Sequence, residues 1–318
     1  MRPLRQKRPR LAVSAGDPQG IGPEVTADAL GALMASDQEF DVSLFGDRTI
    51  LERELKRVGV DDGARVTLVD CPFQDAGEPG PSAAGGLAAL KALSAAAEMV
   101  ETHRADALVT APLAKEAVCV HEPGFVGHTG FLGHRSGVVP LMMLASERLR
   151  IALVTDHLPL REVADHVDRP ALEFALSRLK SGLQDVFGVA RPHIAVLGLN
   201  PHAGEGGKLG REECDLIEPW LKEHPGVEGP FAADGFFRPG QFERFDAILA
   251  MYHDQGLIPL KALSAGAALN ISLGLPYPRT SPDHGTAFLL AGQGRADSSS
   301  MFYAMRCALR LGRGETLQ

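Results

Sequence analysis

The chain has few cysteines, and none of them lie close together in sequence. The four are Cys71, Cys119, Cys214 and Cys307, spread over 318 residues without a C-x-x-C pair. Disulfide-stabilised secreted domains and thiolate zinc sites both need closely spaced cysteines. The sequence therefore predicts reduced thiols in a cytoplasmic protein.

The chain also lacks an excess of positive charge. Its 40 acidic residues outnumber 32 lysines and arginines, which gives a formal net charge of -8. Proteins that bind nucleic acid usually present a basic face to the phosphates, so we expect no nucleic-acid partner. Basic residues do crowd the N-terminus, but the apolar stretch 11–15 after them is too short for a signal peptide. We interpret residues 1–10 as a disordered basic leader.

Long hydrophobic runs are missing as well. No apolar run approaches the roughly 20 residues that a membrane-spanning helix needs, so we expect a soluble protein without a membrane partner. With 45% hydrophobic residues, the chain can bury a large core as one domain or as two lobes.

Short apolar runs alternate with helical patterns along the chain. The runs occupy 11–16, 41–46, 65–70, 107–112, 149–155, 193–200, 245–252 and 268–275, and the helical patterns occupy 23–35, 47–58, 86–103, 170–183 and 211–224. Runs that are apolar throughout are typical of strands buried on both faces, so we predict an α/β fold with a largely parallel sheet. No Pro/Gly/Ser linker separates two halves, so a two-lobed chain would have to cross between lobes more than once.

Three histidines follow predicted strands. His157, His202 and His253 come after the runs 149–155, 193–200 and 245–252. Ligands of open α/β sheets bind beyond the carboxyl ends of the strands, and three imidazoles would leave a metal ion an open position for catalysis. No H-x-x-H or H-E-x-x-H spacing is present. Spacing alone therefore leaves a metal site and ordinary strand-end histidines both open.

The G-x-G-x-x-G fingerprint of dinucleotide-binding loops is absent too. Gly20 and Gly22 are followed by Pro23, and no third glycine comes at the required place. The segment is equally consistent with a cofactor-binding loop and with a tight connection from a strand to a helix.

Several cationic and amide side chains lie around the final predicted strands. They are His128 and Thr129 in the string GHTG, together with Lys261, Asn270 and Arg279. Arginine offers a bidentate fork to phosphate or carboxylate, and lysine offers a compact charge. Each alone could be a surface residue, but together they suit a small, doubly anionic substrate.

Seven longer strings carry a family resemblance. They are GDPQGIGPE, TAPLAKEAV, GHTGFL, DHLPL, NPHAGEGGKLGREE, MYHDQGLIPLK and NISLGLPYPRTSPDHGTA, in this order. Over residues 11–305 the chain resembles the 4-hydroxythreonine-4-phosphate dehydrogenases of pyridoxal phosphate (vitamin B6) biosynthesis. The resemblance implies metal-assisted oxidation of 4-phosphooxy-L-threonine by NAD, or by NADP, to a β-keto acid that decarboxylates to 3-amino-2-oxopropyl phosphate.

The resemblance also implies roles for individual residues. The implied ligands of one divalent ion, zinc, magnesium, cobalt or manganese, are His157, His202 and His253. The implied substrate contacts are His128, Thr129, Lys261, Asn270, Arg279 and Asp234. The acceptor of the hydroxyl proton stays open between Asp254 and Lys115, and Asp254 could instead orient His253.

A wider similarity concerns the fold and the cofactor. GDPQGIGPE resembles GDGIGPE of isocitrate and isopropylmalate dehydrogenases, and HGTAFLLAGQGRAD (284–297) resembles their HGSAPDIAGKGIAN loop, which holds the adenosine of NAD. This implies a two-lobed α/β/α sandwich with the active site in the cleft between the lobes. The implied cofactor contacts are His284, Gly285, Ala287, Gly292 and Gly294. We expect residues 11–125 plus 265–318 to form the lobe with the NAD loops, and residues 126–264 to form the metal and dimer lobe.

The family resemblance further implies a homodimer whose active site lies near the subunit contact. The chain departs from the family pattern at three places: Gly130 replaces the Glu of GHTE, Ala114 replaces an Asn, and Lys208 replaces the His of GGH. These departures leave open a related dehydrogenase of D-threonate or D-erythronate 4-phosphate, while a cis-dihydrodiol dehydrogenase is a weaker match. From other classes, a phosphate acyltransferase and a catalytically silent binding protein are the alternatives.

Overall fold

A computed structural model describes residues 8–36, 38–74, 80–264 and 266–317. The described chain divides into two compact units, unit 1 with residues 8–139 and 275–317 and unit 2 with residues 140–274. Most of the expected leader, residues 1–7, lies outside the described residues, and the first strand begins at Arg10.

The elements alternate along the chain as the hydrophobic pattern predicts. The strands within the described residues are β1 (Arg10–Ser14), β2 (Asp41–Gly46), β3 (Val66–Asp70), β4 (Ala107–Thr110), β5 (Leu141–Ala145), β6 (Arg150–Leu153), β7 (Ile194–Leu197), β8 (Val227–Phe231), β9 (Ala247–Ala250), β10 (Leu269–Leu273) and β11 (Arg279–Pro282). The helices are α1 (Gly22–Met34), α2 (Arg48–Arg57), α3 (Ala83–Glu101), α4 (Lys115–Cys119), α5 (His128–Ser136), α6 (Leu160–His166), α7 (Arg169–Phe187), α8 (Glu218–Leu221), α9 (Ala233–Phe236), α10 (His253–Ser264) and α11 (Ser299–Gly312). The predicted α/β class is confirmed.

Unit 1 contains a parallel sheet in the order β3-β2-β1-β4-β11. Its inner strands are buried along almost their whole length, as their continuous apolar runs predict. Two flanking helices begin with a side-chain cap: Asp47 accepts a hydrogen bond from the Ile50 amide at the start of α2, and Ser82 accepts one from the Gly85 amide at the start of α3. These caps explain why both helices begin where they do.

Helix α3 corrects one expectation. Among the described residues it is the one helix long and apolar enough to cross a membrane, although we expected no such segment. Nine of its residues, however, are buried within unit 1. Ala92 and Leu93 pack there in a cluster with Leu108 of β4 and Leu132 of α5. The apolar surface of α3 therefore serves the core of unit 1.

Unit 2 contains a mixed sheet in the order β10-β5-β6-β9-β7-β8. Strand β5 runs antiparallel to both of its neighbours, and the pairs from β6 to β8 are parallel. Helix α7 begins at Asp168, which accepts a hydrogen bond from the Ala171 amide, and ends at Gly188, whose φ of 70° is the left-handed conformation that glycine adopts readily.

The chain passes from one unit to the other at two points, and both lie later in the sequence than the expected boundaries at 125 and 264. The first follows Val139, because Leu132 of α5 packs in the core of unit 1. The second follows Gly274, because β10 pairs with β5 along its length, from Leu269 opposite Ala145 onward. The assignment of NAD loops to one unit and metal ligands to the other stays a prediction.

Candidate active site

His157 and His253 come together in unit 2 because they follow neighbouring parallel strands. The Val154 amide donates to the Ala250 carbonyl at 2.9 Å, and the Thr155 hydroxyl donates to the Met251 carbonyl at 2.7 Å. These bonds extend the β6–β9 pairing beyond the strands and bring the next residues side by side. The imidazole rings of the two histidines lie 5.5 Å apart between centroids.

Each of these histidines has a carboxylate from its own chain neighbour. The Nδ1 atom of His253 lies 2.7 Å from Oδ1 of Asp254, and Nδ1 of His157 lies 3.4 Å from Oδ2 of Asp156. The hydrogen bond with His157 lowers the pKa of Asp156, against the opposing effect of burial. A carboxylate on Nδ1 fixes the imidazole tautomer that leaves Nε2 able to bind a metal ion. The contact of Asp254 with Nδ1 indicates that this carboxylate orients the ring of His253.

The pair fits two ligands of one divalent ion. With metal–nitrogen distances of about 2.0–2.1 Å and tetrahedral angles, the centres of two coordinating imidazoles lie roughly 5 Å apart. The observed separation of 5.5 Å is close to this value. The rings also border an open cavity of about 490 Å³, which is lined by Asp156, His157, Leu158, Leu160, Val163, Tyr252, His253 and Asp254. A metal held here would therefore face a space large enough for a small substrate.

The third expected ligand, His202, forms no metal-binding group with these two histidines among the described residues. It is exposed and begins a left-handed turn in which five consecutive residues, 202–206, have positive φ angles between 45° and 76°. Across residues 8–36, 38–74, 80–264 and 266–317, no group of three His, Cys, Asp or Glu side chains is arranged to hold a metal ion. The structure thus brings two of the three histidines together and does not join His202 to them.

A buried carboxylate that the sequence did not reveal holds the turn of His202 in place. Glu213 is fully buried and accepts hydrogen bonds from the amide of Asn200 at 2.7 Å and from its Nδ2 at 2.9 Å. A Cβ on Gly204 would lie 2.5 Å from the Glu213 carboxylate, so only glycine fits there. Left-handed backbone costs roughly 1–2 kcal/mol per residue other than glycine, and this network compensates that cost.

The segment that contains Glu213 departs from a regular α-helix. The helix predicted for 211–224 is present over residues 212–221, but Glu213–Ile217 form a π-helical turn before the short α8. A π-helical turn changes the direction of successive side chains relative to an α-helix, and it often occurs at functional sites.

Arg279, the first residue of β11, is the centre of the predicted anion site in unit 1. It is 2% exposed, and its guanidinium donates to the hydroxyl of Thr110 at 2.5 Å and to that of Thr129 at 3.5 Å. Burial lowers the pKa of Arg279 to about 10, so the side chain is still charged at neutral pH. A buried cation is stabilised by an anion, and anion binding by this residue and Thr129 stays a prediction.

His128 lies at the start of α5, next to Thr129. Burial of the imidazole, followed by the positive charges of Arg279 and Lys115, lowers its pKa to about 3. The side chain of Lys115 runs past Gly127, where a Cβ would lie 3.1 Å from its Cε. His128 is therefore neutral at physiological pH and can act towards an anion only as a hydrogen-bond donor, not as a charge.

The low pKa of His128 predicts a pH-dependent stability. Unfolded His128 takes up a proton below about pH 6.5, whereas the folded form does so only near pH 3, so stability falls as the pH drops through this window. Between pH 7 and pH 4.5, we expect the wild type to lose about 2 kcal/mol more free energy of unfolding than His128→Gln. Urea denaturation at several pH values measures this difference. Parallel curves for the two proteins would contradict it.

The remaining predicted substrate residues belong to unit 2. Asn270 lies in β10 opposite Leu144, Lys261 is exposed on α10, and Asp234 is exposed on α9. The Oδ1 atom of Asn270 is buried, and no partner for it is found among the described residues. Their common role in one substrate site stays a prediction.

The predicted cofactor residues lie on one loop of unit 1 after β11. Ala287, Gly292 and Gly294 adopt positive φ angles of 41°, 71° and 64°, and Gly285 and Ala287 are exposed. The ring of His284 lies against its own chain, with Nδ1 3.1 Å from the Gly285 carbonyl oxygen. The repeated left-handed positions let the exposed loop turn sharply, and they explain the glycines of this string.

Known proteins resemble this chain over nearly its full length. The family model described as "Pyridoxal phosphate biosynthetic protein PdxA" matches residues 31–308. The chain is 43% identical to a 4-hydroxythreonine-4-phosphate dehydrogenase from Chromobacterium violaceum, covering 96% of this chain and 97% of the relative, and 42% identical to one from Cupriavidus pinatubonensis, covering 95% and 94%. A crystal structure of the enzyme from Klebsiella pneumoniae superimposes with a TM-score of 0.80 at 33% identity, covering 96% of this chain and 100% of the other.

The α/β fold and these relatives define an oxidoreductase of the dehydrogenase class. The chain belongs to the PdxA family of pyridoxal phosphate biosynthetic proteins. The resemblance found in the sequence strings is thereby confirmed.

Proposed function

We propose that this protein oxidises 4-phosphooxy-L-threonine at its C3 hydroxyl with NAD, in the pathway to pyridoxal phosphate. The observation that carries the proposal is the pair His157 and His253, oriented by Asp156 and Asp254 beside an open cavity. Membership of the PdxA family supports this substrate, because relatives 42–43% identical over nearly the whole chain carry the corresponding name. Since these relatives are dehydrogenases, oxidation is favoured over acyl transfer.

The residues have separate tasks in this reaction. Arg279 and Thr129 bind the phosphate, which neutralises the buried guanidinium and fixes the position of the substrate. His128 donates a hydrogen bond without adding charge. Asn270 and Lys261 contribute further donors, and Asp234 is proposed to accept a hydrogen bond from the amino group.

Two groups that the chain would bind supply the redox chemistry. The 284–297 loop would hold NAD, with NADP as the alternative, and the bound cofactor would supply the hydride acceptor for C3. His157, His253 and His202 would hold one divalent ion, zinc, magnesium, cobalt or manganese, which would supply Lewis-acid chemistry at the C3 hydroxyl. The hydroxyl proton passes to a base, for which Lys115 stays a candidate, since Asp254 already holds His253. The resulting β-keto acid loses carbon dioxide to give 3-amino-2-oxopropyl phosphate.

We further propose that the enzyme acts in the cytoplasm as a homodimer with the active site near the subunit contact. The position of His202 favours such an assembly. It is exposed on a left-handed turn and forms no metal-binding group with the other two histidines among the described residues, so a second copy of the chain could complete the ligand set. The family resemblance implies the same arrangement.

A substrate panel tests the reaction. We expect the purified protein to produce NADH from 4-phosphooxy-L-threonine, to lose this activity after chelator treatment and to regain it with a divalent ion. Brisk turnover of D-threonate 4-phosphate with no turnover of 4-phosphooxy-L-threonine would assign the chain to the neighbouring branch. Full activity of metal-free protein would overturn the role of the ion and leave the redox reaction standing.

A further inference from the structure

The glycine-rich turn before α1 lies against the 284–297 loop. The Ile21 amide donates to the Thr286 carbonyl at 2.9 Å. A Cβ on Gly20 would lie 2.9 Å from the same carbonyl oxygen, closer than a side chain can approach, and 3.2 Å from the Thr286 Cβ, which is a tight contact. The close approach of this loop therefore explains why residue 20 is a glycine.

Glu24 makes a second connection to the loop, ten residues further along it. The side chain lies in the first turn of α1 and is 2% exposed. Its Oε1 accepts a hydrogen bond from the Ala296 amide at 3.0 Å, across 272 residues of sequence. The partial positive charge at the helix N-terminus stabilises a carboxylate at this position. Glu24 is thus a fixed acceptor that holds the far end of the loop.

The turn and the loop border one cavity in unit 1. Its volume is about 260 Å³, and it is lined by Pro18, Gln19, Gly20, Pro23, Glu24, Ile50, Arg53, Glu54, Phe73, Ala291 and Gly292. Sites for whole ligands of drug size measure about 300–1,000 Å³, so this cavity suits one half of a dinucleotide. Because Ala291 and Gly292 form one wall, the position of the loop sets the width of the cavity.

We propose that Glu24 is a positioning residue for the nicotinamide dinucleotide. It holds the 284–297 loop against α1, so that the cavity is already formed when the cofactor arrives. Ordering a loop before binding improves affinity, because the binding step no longer pays for that ordering. This inference rests on the proposed function, in which the loop binds NAD.

The test compares Glu24→Ala with Glu24→Gln. For Glu24→Ala we expect NAD to bind about tenfold more weakly, since a hydrogen bond to a charged group is lost, while KM for 4-phosphooxy-L-threonine stays within about twofold. Hydrogen exchange of the Ala296 amide, measured without NAD, rises about tenfold or more. Glu24→Gln keeps an oxygen that can accept from Ala296 and restores most of both quantities.

Asp28→Asn is the matched control, because Asp28 lies one turn further along α1 and pairs with Arg57 at 2.8 Å. It should leave NAD affinity and Ala296 exchange unchanged. Unchanged NAD affinity in Glu24→Ala would overturn the role of Glu24 while the proposed function stands, and so would equal losses of affinity for NAD and substrate. Failure of the wild type to bind NAD would overturn the proposed function itself, whatever hydrogen-exchange rate is measured for the Ala296 amide.

Discussion

Replacing His253 with alanine is expected to lower kcat/KM for 4-phosphooxy-L-threonine about 10³-fold. The ring lies 5.5 Å from that of His157, and Asp254 contacts its Nδ1, so the substitution removes one proposed ligand together with the imidazole that Asp254 contacts. Polarisation of an oxygen by a metal ion contributes several kcal/mol, and each 1.36 kcal/mol corresponds to a factor of ten in rate. Steady-state NADH production measures the loss, and elemental analysis should show less bound divalent metal per chain.

His166→Ala is the control for this experiment. His166 is an exposed histidine of the same unit, at the end of α6, with Nδ1 2.8 Å from the Glu162 carbonyl oxygen. Its removal should leave both activity and metal content unchanged. Wild-type metal content in His253→Ala would refute the ligand assignment even if activity were low.

Replacing Arg279 with methionine is expected to lower kcat/KM about 10³-fold without lowering stability. The guanidinium is 2% exposed, and a phosphate bound there would lose two charge-assisted hydrogen bonds, each contributing roughly 1.5–3 kcal/mol. The unchanged stability of the variant is expected from the lowered pKa of Arg279. Because burial lowers the pKa of Arg279 to about 10, the folded state disfavours the charged form, and this cost is present below pH 10 and diminishes as the pH rises above it.

Urea denaturation at pH 7 should therefore give Arg279→Met a free energy of unfolding equal to or above that of the wild type. Replacement of buried charges by apolar side chains of similar volume is often neutral or stabilising. Arg150→Met, which removes a partly buried arginine over the ring of Phe187 in unit 2, should leave KM unchanged. A destabilised Arg279→Met variant with unchanged KM would show a purely structural role.

Most strands that are apolar on both faces can be predicted from the sequence. The run 107–112 gave β4 because each of its residues is buried. Three strands are not predicted: β11, which begins with the buried Arg279 and has three polar or charged residues among its four, β8, which has two exposed residues, and β5, an apolar strand that no predicted run covers. Burial of a charged residue depends on partners such as Thr110, which lies far away in sequence.

The candidate site was predictable only in part, for a similar reason. His157 and His253 can be predicted as site residues because each directly follows a strand, and strands are inferred from the local sequence pattern alone. The left-handed turn of His202 was not foreseen, because its cause is the burial of Glu213, and that residue resembles an ordinary surface glutamate of a helix. Glu24 was missed in the same way, because its partner is the amide of Ala296 on a distant loop.

The discontinuity of unit 1 has a consequence for the synthesis of the protein. Residues 140–274 of unit 2 are continuous, so this unit can complete its sheet while the ribosome is still translating. The sheet of unit 1, in contrast, needs β11 beside β4, and the Glu24 contact needs Ala296. This part of unit 1 therefore waits for a segment made after the whole of unit 2, and during this interval the unpaired edge of β4 is the surface that a chaperone would have to protect.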